Sequence, residues 1–148
     1  MNLRTLALCA AVASSFAFGS VQAKEPVEPQ PATPLTYVNP AYHKITPDVA
    51  KKMMESEKVV ILDVRTPEEV KADGYIKGSV NVPMDQLRPG VKLEAAPDLN
   101  QKILVHCKSG VRAEKASKIL VETGYKNVYN FYGTLQWPYE PEFYSFLY

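Results

Sequence analysis

Six consecutive residues, Cys107-Lys108-Ser109-Gly110-Val111-Arg112, have the types and order needed for nucleophilic chemistry. They follow an apolar run, Ile103-Leu104-Val105, and lead into a stretch with helical periodicity from Arg112 to Thr123. A cysteine at the exit of a buried strand, followed by a short loop and a helix N-terminus, suits chemistry on anions. Backbone N–H groups of such a loop converge on one point, and the helix dipole adds positive potential there. Lys108 and Arg112 add two formal cations, and together these influences favour the nucleophilic thiolate near neutral pH. Gly110 permits the tight loop and a close backbone approach. Ser109 is small enough for the turn and has a hydroxyl to donate, and Val111 contributes its backbone to the same cradle.

Cysteine usage sharpens this reading. The N-terminus reads as a secretory signal peptide over residues 1–23: Arg4 gives a positive start, Leu6 to Phe18 is largely apolar, and Val21-Gln22-Ala23 offers small residues at the cleavage positions. The apolar run falls short of the ~20 residues a membrane span needs. Cleavage would export the chain across an inner membrane, in the manner of a bacterial periplasmic protein, and would remove Cys9. Cys107 is then the sole cysteine. That excludes an internal disulfide and Cys-x-x-Cys exchange, and points to a reactive thiol or an intermolecular bridge. Loss of Arg4 from the 17 basic residues also balances them against the 16 acidic ones. A neutral chain without a basic block is not built for nucleic acid or an anionic membrane. Neither cofactor nor metal is implied. His106 and Cys107 are adjacent on a strand and point to opposite faces, and His43 stands alone in sequence.

Certain elements must position the cysteine. Residues 24–39, with Pro26, Pro29, Pro31 and Pro34, read as an extended, disordered linker. The remaining 40–148 is the right length for one domain with one core. Val59-Val60-Ile61-Leu62 and Ile103-Leu104-Val105 are continuous apolar runs of the kind found in parallel strands buried on both faces. Val80 to Val82 and Asn127 to Phe131 are weaker strand candidates. Thr46-Pro47-Asp48 opens a helix through Met53 or Met54. Thr66-Pro67-Glu68-Glu69 opens another with a capping box. From Arg112 to Thr123, Ala113, Ala116, Ile119 and Leu120 share one face, and Gly124 ends the helix with Tyr125 packing back on it. The alternation predicts an α/β fold with Cys107 just past the C-terminal end of a strand, where ligands bind in such sheets.

Three segments now resemble the rhodanese-like family. Leu62-Asp63-Val64-Arg65-Thr66-Pro67-Glu68-Glu69 looks like its first signature, and Gly74-Tyr75-Ile76-Lys77-Gly78-Ser79-Val80-Asn81-Val82-Pro83 resembles its second. The Cys107 to Arg112 loop with its helix is similar to the third. The resemblance spans about Ile45 to Tyr132 and implies a single domain with a five-stranded parallel sheet and helices on both faces, of the secreted single-domain type. Tyr75 departs from the usual His of the second signature, and Tyr132-Gly133 stands where many members have two glycines.

The activity implied by the resemblance is sulfur transfer. Cys107 takes the outer sulfur of thiosulfate or a related anionic donor as a persulfide, then yields it to a thiophilic acceptor such as cyanide or a protein or small-molecule thiol. Lys108, Ser109, Gly110, Val111 and Arg112 cradle that sulfur, with the two cations attracting the donor. Asp63 and Arg65 either brace the loop or form a structural ion pair, with equal weight. His106 is expected to pack rather than act as a base. A phosphatase or arsenate reductase is the alternative on the same fold, but its loop has one residue more between Cys and Arg. A persulfide carrier without turnover is the third reading. The aromatic tail from Trp137 to Tyr148 is expected to cover the core, with the rim of the site as its alternative.

Overall fold

The computed structural model describes residues 38–145. The signal-peptide segment and all of the linker except Val38 and Asn39 lie outside the described residues, as do the last three residues of the tail. Five strands, β1 (Tyr42–Lys44), β2 (Val59–Asp63), β3 (Ser79–Asn81), β4 (Lys102–Cys107) and β5 (Asn127–Gly133), form one sheet in the order β1-β5-β4-β2-β3. All four pairings are parallel. The two apolar runs become the neighbouring central strands β2 and β4, paired from Val59–Lys102 to Asp63–His106. β1 was not foreseen. It is a three-residue edge strand, half-buried at Tyr42 and exposed beyond it, so it lacks a continuous apolar run to betray it.

Helices α1 (Pro47–Ser56), α2 (Pro67–Asp73) and α3 (Val111–Thr123) connect the strands. The first two start as their sequences dictate. The Thr46 hydroxyl accepts from Val49 N, and the Thr66 side chain accepts from Glu69 N while the Glu69 carboxylate accepts from Thr66 N. Such a reciprocal cap satisfies two of the four free N–H groups at the helix start. Helix α3 ends at Gly124 with φ +110, and Tyr125 N returns to the Leu120 carbonyl. The Tyr125 hydroxyl is buried and donates to Ala96 O while accepting from Leu93 N.

The core lies on both faces of the sheet. Ile103, Val105, Cys107 and Val128 pack on Ala113, Ala116 and Leu120 of α3. On the other face Ile61, Leu104 and Phe131 meet Ala50 and Met53 of α1. Burying each large aliphatic side chain stabilises the fold by about 1.5–3 kcal/mol, so strand β4 is held firmly from both sides. Its last residue is Cys107. The strand therefore delivers the thiol to a fixed point at the C-terminal edge of the sheet.

Candidate active site

At the end of β4 the backbone turns through Lys108 to Gly110, and α3 begins at Val111. Gly110 adopts φ +103, the left-handed conformation that the sequence requires of a glycine there. The turn folds the loop around the sulfur. Gly110 N donates to Cys107 Sγ at 3.0 Å and Ala113 N donates at 3.4 Å. Both amides belong to the loop and the first turn of α3, so the helix end and the loop converge on one atom. The side chain is fully buried. Amide donors aimed at a buried sulfur stabilise negative charge on it, as they do for any anion at a helix start.

The two cations of the loop are engaged by α2. Arg112 donates to both oxygens of Glu69, at 2.6 and 2.7 Å, and Lys108 lies 3.5 Å from Asp73. Glu69 and Asp73 are four residues apart and so share one face of α2. Hydrogen bonding from Arg112 holds the Glu69 carboxyl down at about 2, against the cost of its partial burial. The same bond raises the guanidinium of Arg112 further, with smaller contributions from the Cys107 sulfur. The loop cations thus meet the thiol as members of ion pairs, not as the free charges expected of them. Glu69 caps α2 and clamps the loop at once. Asp73 had no signal beyond its spacing from Glu69.

Strand β5 supplies the other wall. Val105 pairs with Asn130 and Cys107 with Gly133, so β5 carries one residue more than β4 between those pairs. This bulge places Tyr132 at φ +74, the one non-glycine residue at positive φ among the described residues. Asn130 Oδ1 accepts from Tyr132 N at 2.9 Å and fixes the turn. The Tyr132 carbonyl oxygen then lies 4.0 Å from Cys107 Sγ. Bulges next to functional sites commonly re-aim the chain in this way. Gly133 passes so close to the loop that a Cβ there would meet Lys108 O at 2.2 Å and Ser109 N at 2.7 Å.

A family model described as rhodanese-like domain matches residues 46–137, most of the described fold and the whole of this site. The chain belongs to the rhodanese-like family. A rhodanese-like domain protein from Staphylococcus aureus has a similar crystal structure, with a TM-score of 0.59 and 32% identity, over 70% of this chain and 99% of that one. Thiosulfate sulfurtransferase PspE of Escherichia coli is 33% identical over 69 residues, 47% of this chain and 64% of that protein. The tRNA uridine(34) hydroxylase of Cytophaga hutchinsonii is 34% identical over 91 residues, 60% of this chain but 29% of that protein. The match thus spans nearly all of the Staphylococcus aureus chain but under a third of the hydroxylase.

Within this rhodanese-like domain, Asp63 and Arg65 do not touch the loop. Both are fully buried, and Arg65 Nη2 donates to Asp63 Oδ2 at 2.6 Å and to Gly74 O at 2.8 Å. Asn81 Nδ2 reaches the carbonyls of Asp63 and Arg65. Of the two roles weighed for them, the structure has the ion pair, which ties the exit of β2 to the end of α2. Arg65 Nη1 is buried without a hydrogen-bond partner among the described residues, so desolvation cancels much of the pair's attraction and its contribution is positional. His106 lies beside it, Nε2 3.7 Å from Asp63 Oδ2, on the sheet face opposite the sulfur as expected. Burial pushes its pKa down to about 4 despite the pull of Asp63, so the imidazole is neutral near pH 7. Its ring packs at a tilt against Phe131, with centroids 5.1 Å apart.

The tail divides. Trp137 packs on Phe131 in the core, but Tyr139, Phe143 and Tyr144 are 38%, 57% and 57% exposed. Their expected burial is therefore corrected. The chain after β5 runs along the edge of the site instead, because Leu135 N donates to Lys108 O and Tyr75 pairs with Glu142 across an antiparallel bridge. Leu135, Trp137, Tyr139 and Pro141 line a cleft beside Lys108, the rim role weighed as the alternative.

Proposed function

We propose that this protein is a sulfurtransferase of the thiosulfate type. The Cys107 thiolate attacks the outer sulfur of thiosulfate, the S–S bond breaks, and sulfite leaves with the electron pair. Cys107 is left as a persulfide anion, so the three negative charges on the reactants are conserved in the products. Cyanide or a thiolate then attacks the terminal sulfur, and the Cys107 thiolate is restored. The observation that supports this reading is the convergence of Gly110 N, in the six-residue loop, and Ala113 N, the residue just after it, on Cys107 Sγ. Two amide N–H donors stabilise negative charge on sulfur without transferring a proton to it. The thiosulfate sulfurtransferase of Escherichia coli supports the choice of donor. We infer that the signal-like residues 1–23 send the domain to an extracytoplasmic compartment, the bacterial periplasm.

The carrier reading keeps one specific support, the full burial of Cys107 while both loop cations are paired with carboxylates of α2. Mixing the purified protein with thiosulfate and reading its intact mass tests the first half-reaction. A gain of one sulfur atom, lost in Cys107→Ser, supports sulfur transfer. Absence of an adduct, together with phosphate release from an aryl phosphate, refutes it in favour of the phosphatase. A persulfide that passes to cyanide far more slowly than it forms makes the protein a carrier.

A further inference from the structure

Resting on the sulfur-transfer reading, we propose that Lys44 is the cation that steers the anionic donor to Cys107, and that Tyr132 is the positioning residue that holds it at the mouth of the site. Arg112 and Lys108 are closed onto Glu69 and Asp73. Lys44 differs, since no carboxylate pairs with it among the described residues and its ammonium sits 4.7 Å from the centre of the Tyr132 ring. A cation over an aromatic face keeps its full charge, which a carboxylate would cancel. The geometry brings that charge to the site. Lys44 is the last residue of β1, paired with Asn130, at the same sheet edge where β4 ends in Cys107. Lys44 and Tyr42 project from one face of β1, and Tyr42 pairs with Val128, which packs on α3 with Cys107, so that face is the α3 face. On that helix Glu114 pairs with Lys118.

Tyr132 connects the two. A Cβ on Gly110 would lie 3.6 Å from Tyr132 Cβ, so the ring starts from the wall of the loop. The Tyr132 ring therefore carries the Lys44 charge on the same wall that closes the loop. The left-handed φ of Tyr132 and the bond its N–H donates to Asn130 Oδ1 hold the ring there. Tyrosine in that conformation is strained where glycine would not be, and the fold retains it beside the reacting atom.

The test measures single-turnover persulfide formation on Cys107 by intact mass with two sulfane donors, dianionic thiosulfate and monoanionic methanethiosulfonate. At low ionic strength Lys44→Gln should lower the second-order rate about three- to sixfold with thiosulfate and about twofold with methanethiosulfonate, following the charge product. The dependence on salt should flatten accordingly. Lys44→Arg and Tyr132→Phe should keep the parent rates. Tyr132→Gly should lose as much as Lys44→Gln while its Tm stays level or rises, because the strain is relieved. Equal losses with both donors, an unchanged salt slope in Lys44→Gln, or a parent rate in Tyr132→Gly would each overturn the inference and leave the sulfur-transfer reading intact. No persulfide in the parent protein with either donor overturns that reading and the inference with it.

Discussion

Replacing Gly133 by alanine tests whether the sulfur cradle depends on contact between β5 and the loop. Gly133 has φ −160 and ψ 175, an extended conformation open to any residue, so its backbone does not require glycine. Space does. An alanine Cβ would sit 2.2 Å from Lys108 O, 2.3 Å from Lys108 C and 2.7 Å from Ser109 N, all backbone atoms that no rotamer can move. Reaching ordinary contact requires the loop to retreat by about 1 Å, the difference from a normal carbon–oxygen approach. The loop is tied at Leu135 N→Lys108 O and at Gly110 N→Cys107 Sγ, each 3.0 Å, so the retreat breaks the cradle before it breaks the fold. Misplacement by about 1 Å lowers a rate on the order of a hundredfold, and overpacking of this kind costs about 1–3 kcal/mol of stability. Thiocyanate production from thiosulfate and cyanide reads the first effect, and thermal unfolding reads the second. Gly90→Ala is the control, because Gly90 has φ +82 but no atom within 4 Å of a Cβ. It should lose about 1 kcal/mol and retain its activity. Gly133→Ala within threefold of the parent rate, at an unchanged Tm, would refute the argument.

Three further outcomes follow from the ion pairs and the buried histidine. Arg65→Met leaves the Asp63 carboxylate buried without its partner and should lower stability by about 3–5 kcal/mol in chemical denaturation; Asp63→Asn with Arg65→Met should recover much of that loss. Glu69→Gln frees the charge of Arg112, so KM for thiosulfate should fall several-fold at low salt while loss of the capping charge costs about 1 kcal/mol; an unchanged KM would mean that Arg112 does not face the donor. His106 is held neutral in the fold, with a pKa near 4 against 6.5 when unfolded. The unfolded chain therefore takes up the proton first, and stability is full above pH 6.5 and falls as pH drops toward 4, by at most about 3 kcal/mol. The Glu69 carboxyl, held low by Arg112, extends the decline below pH 4.5. Denaturation midpoints against pH for His106→Phe should show the upper part of that slope flattened.

Chain order and periodicity made the central fold legible. The apolar runs at Val59 and Ile103 became β2 and β4, and Thr46, Thr66 and Gly124 marked helix ends where they stood. Those signals are local, since each depends on residues a few positions apart. β1 depends on a partner more than 80 positions away, since Tyr42 pairs with Val128, and its three residues hold no pattern of their own. The site divides in the same way. Cys107 and its loop were legible because the strand, turn and helix are contiguous. The Arg112–Glu69 and Lys108–Asp73 pairs were not, because formal charge in a sequence says nothing about which carboxylate lies opposite. Gly133 carried no warning either, as its need for glycine arises from Lys108 across the sheet and not from its own dihedrals. The tail misled because aromatic residues are expected inside, whereas Tyr139, Phe143 and Tyr144 line an exposed edge.

The bulge in β5 limits how this chain can vary around its cysteine. Amides make the sulfur cradle, so the side chains of Lys108, Ser109 and Val111 can be exchanged without altering the donors themselves, while Gly110 is fixed by its φ of +103. Spacing cannot vary. One residue removed between Asn130 and Gly133 would restore even pairing with β4, draw Gly133 off the loop and turn the Tyr132 carbonyl away from the thiol. In this chain a single-codon deletion in β5 should therefore be more damaging than most substitutions beside the nucleophile.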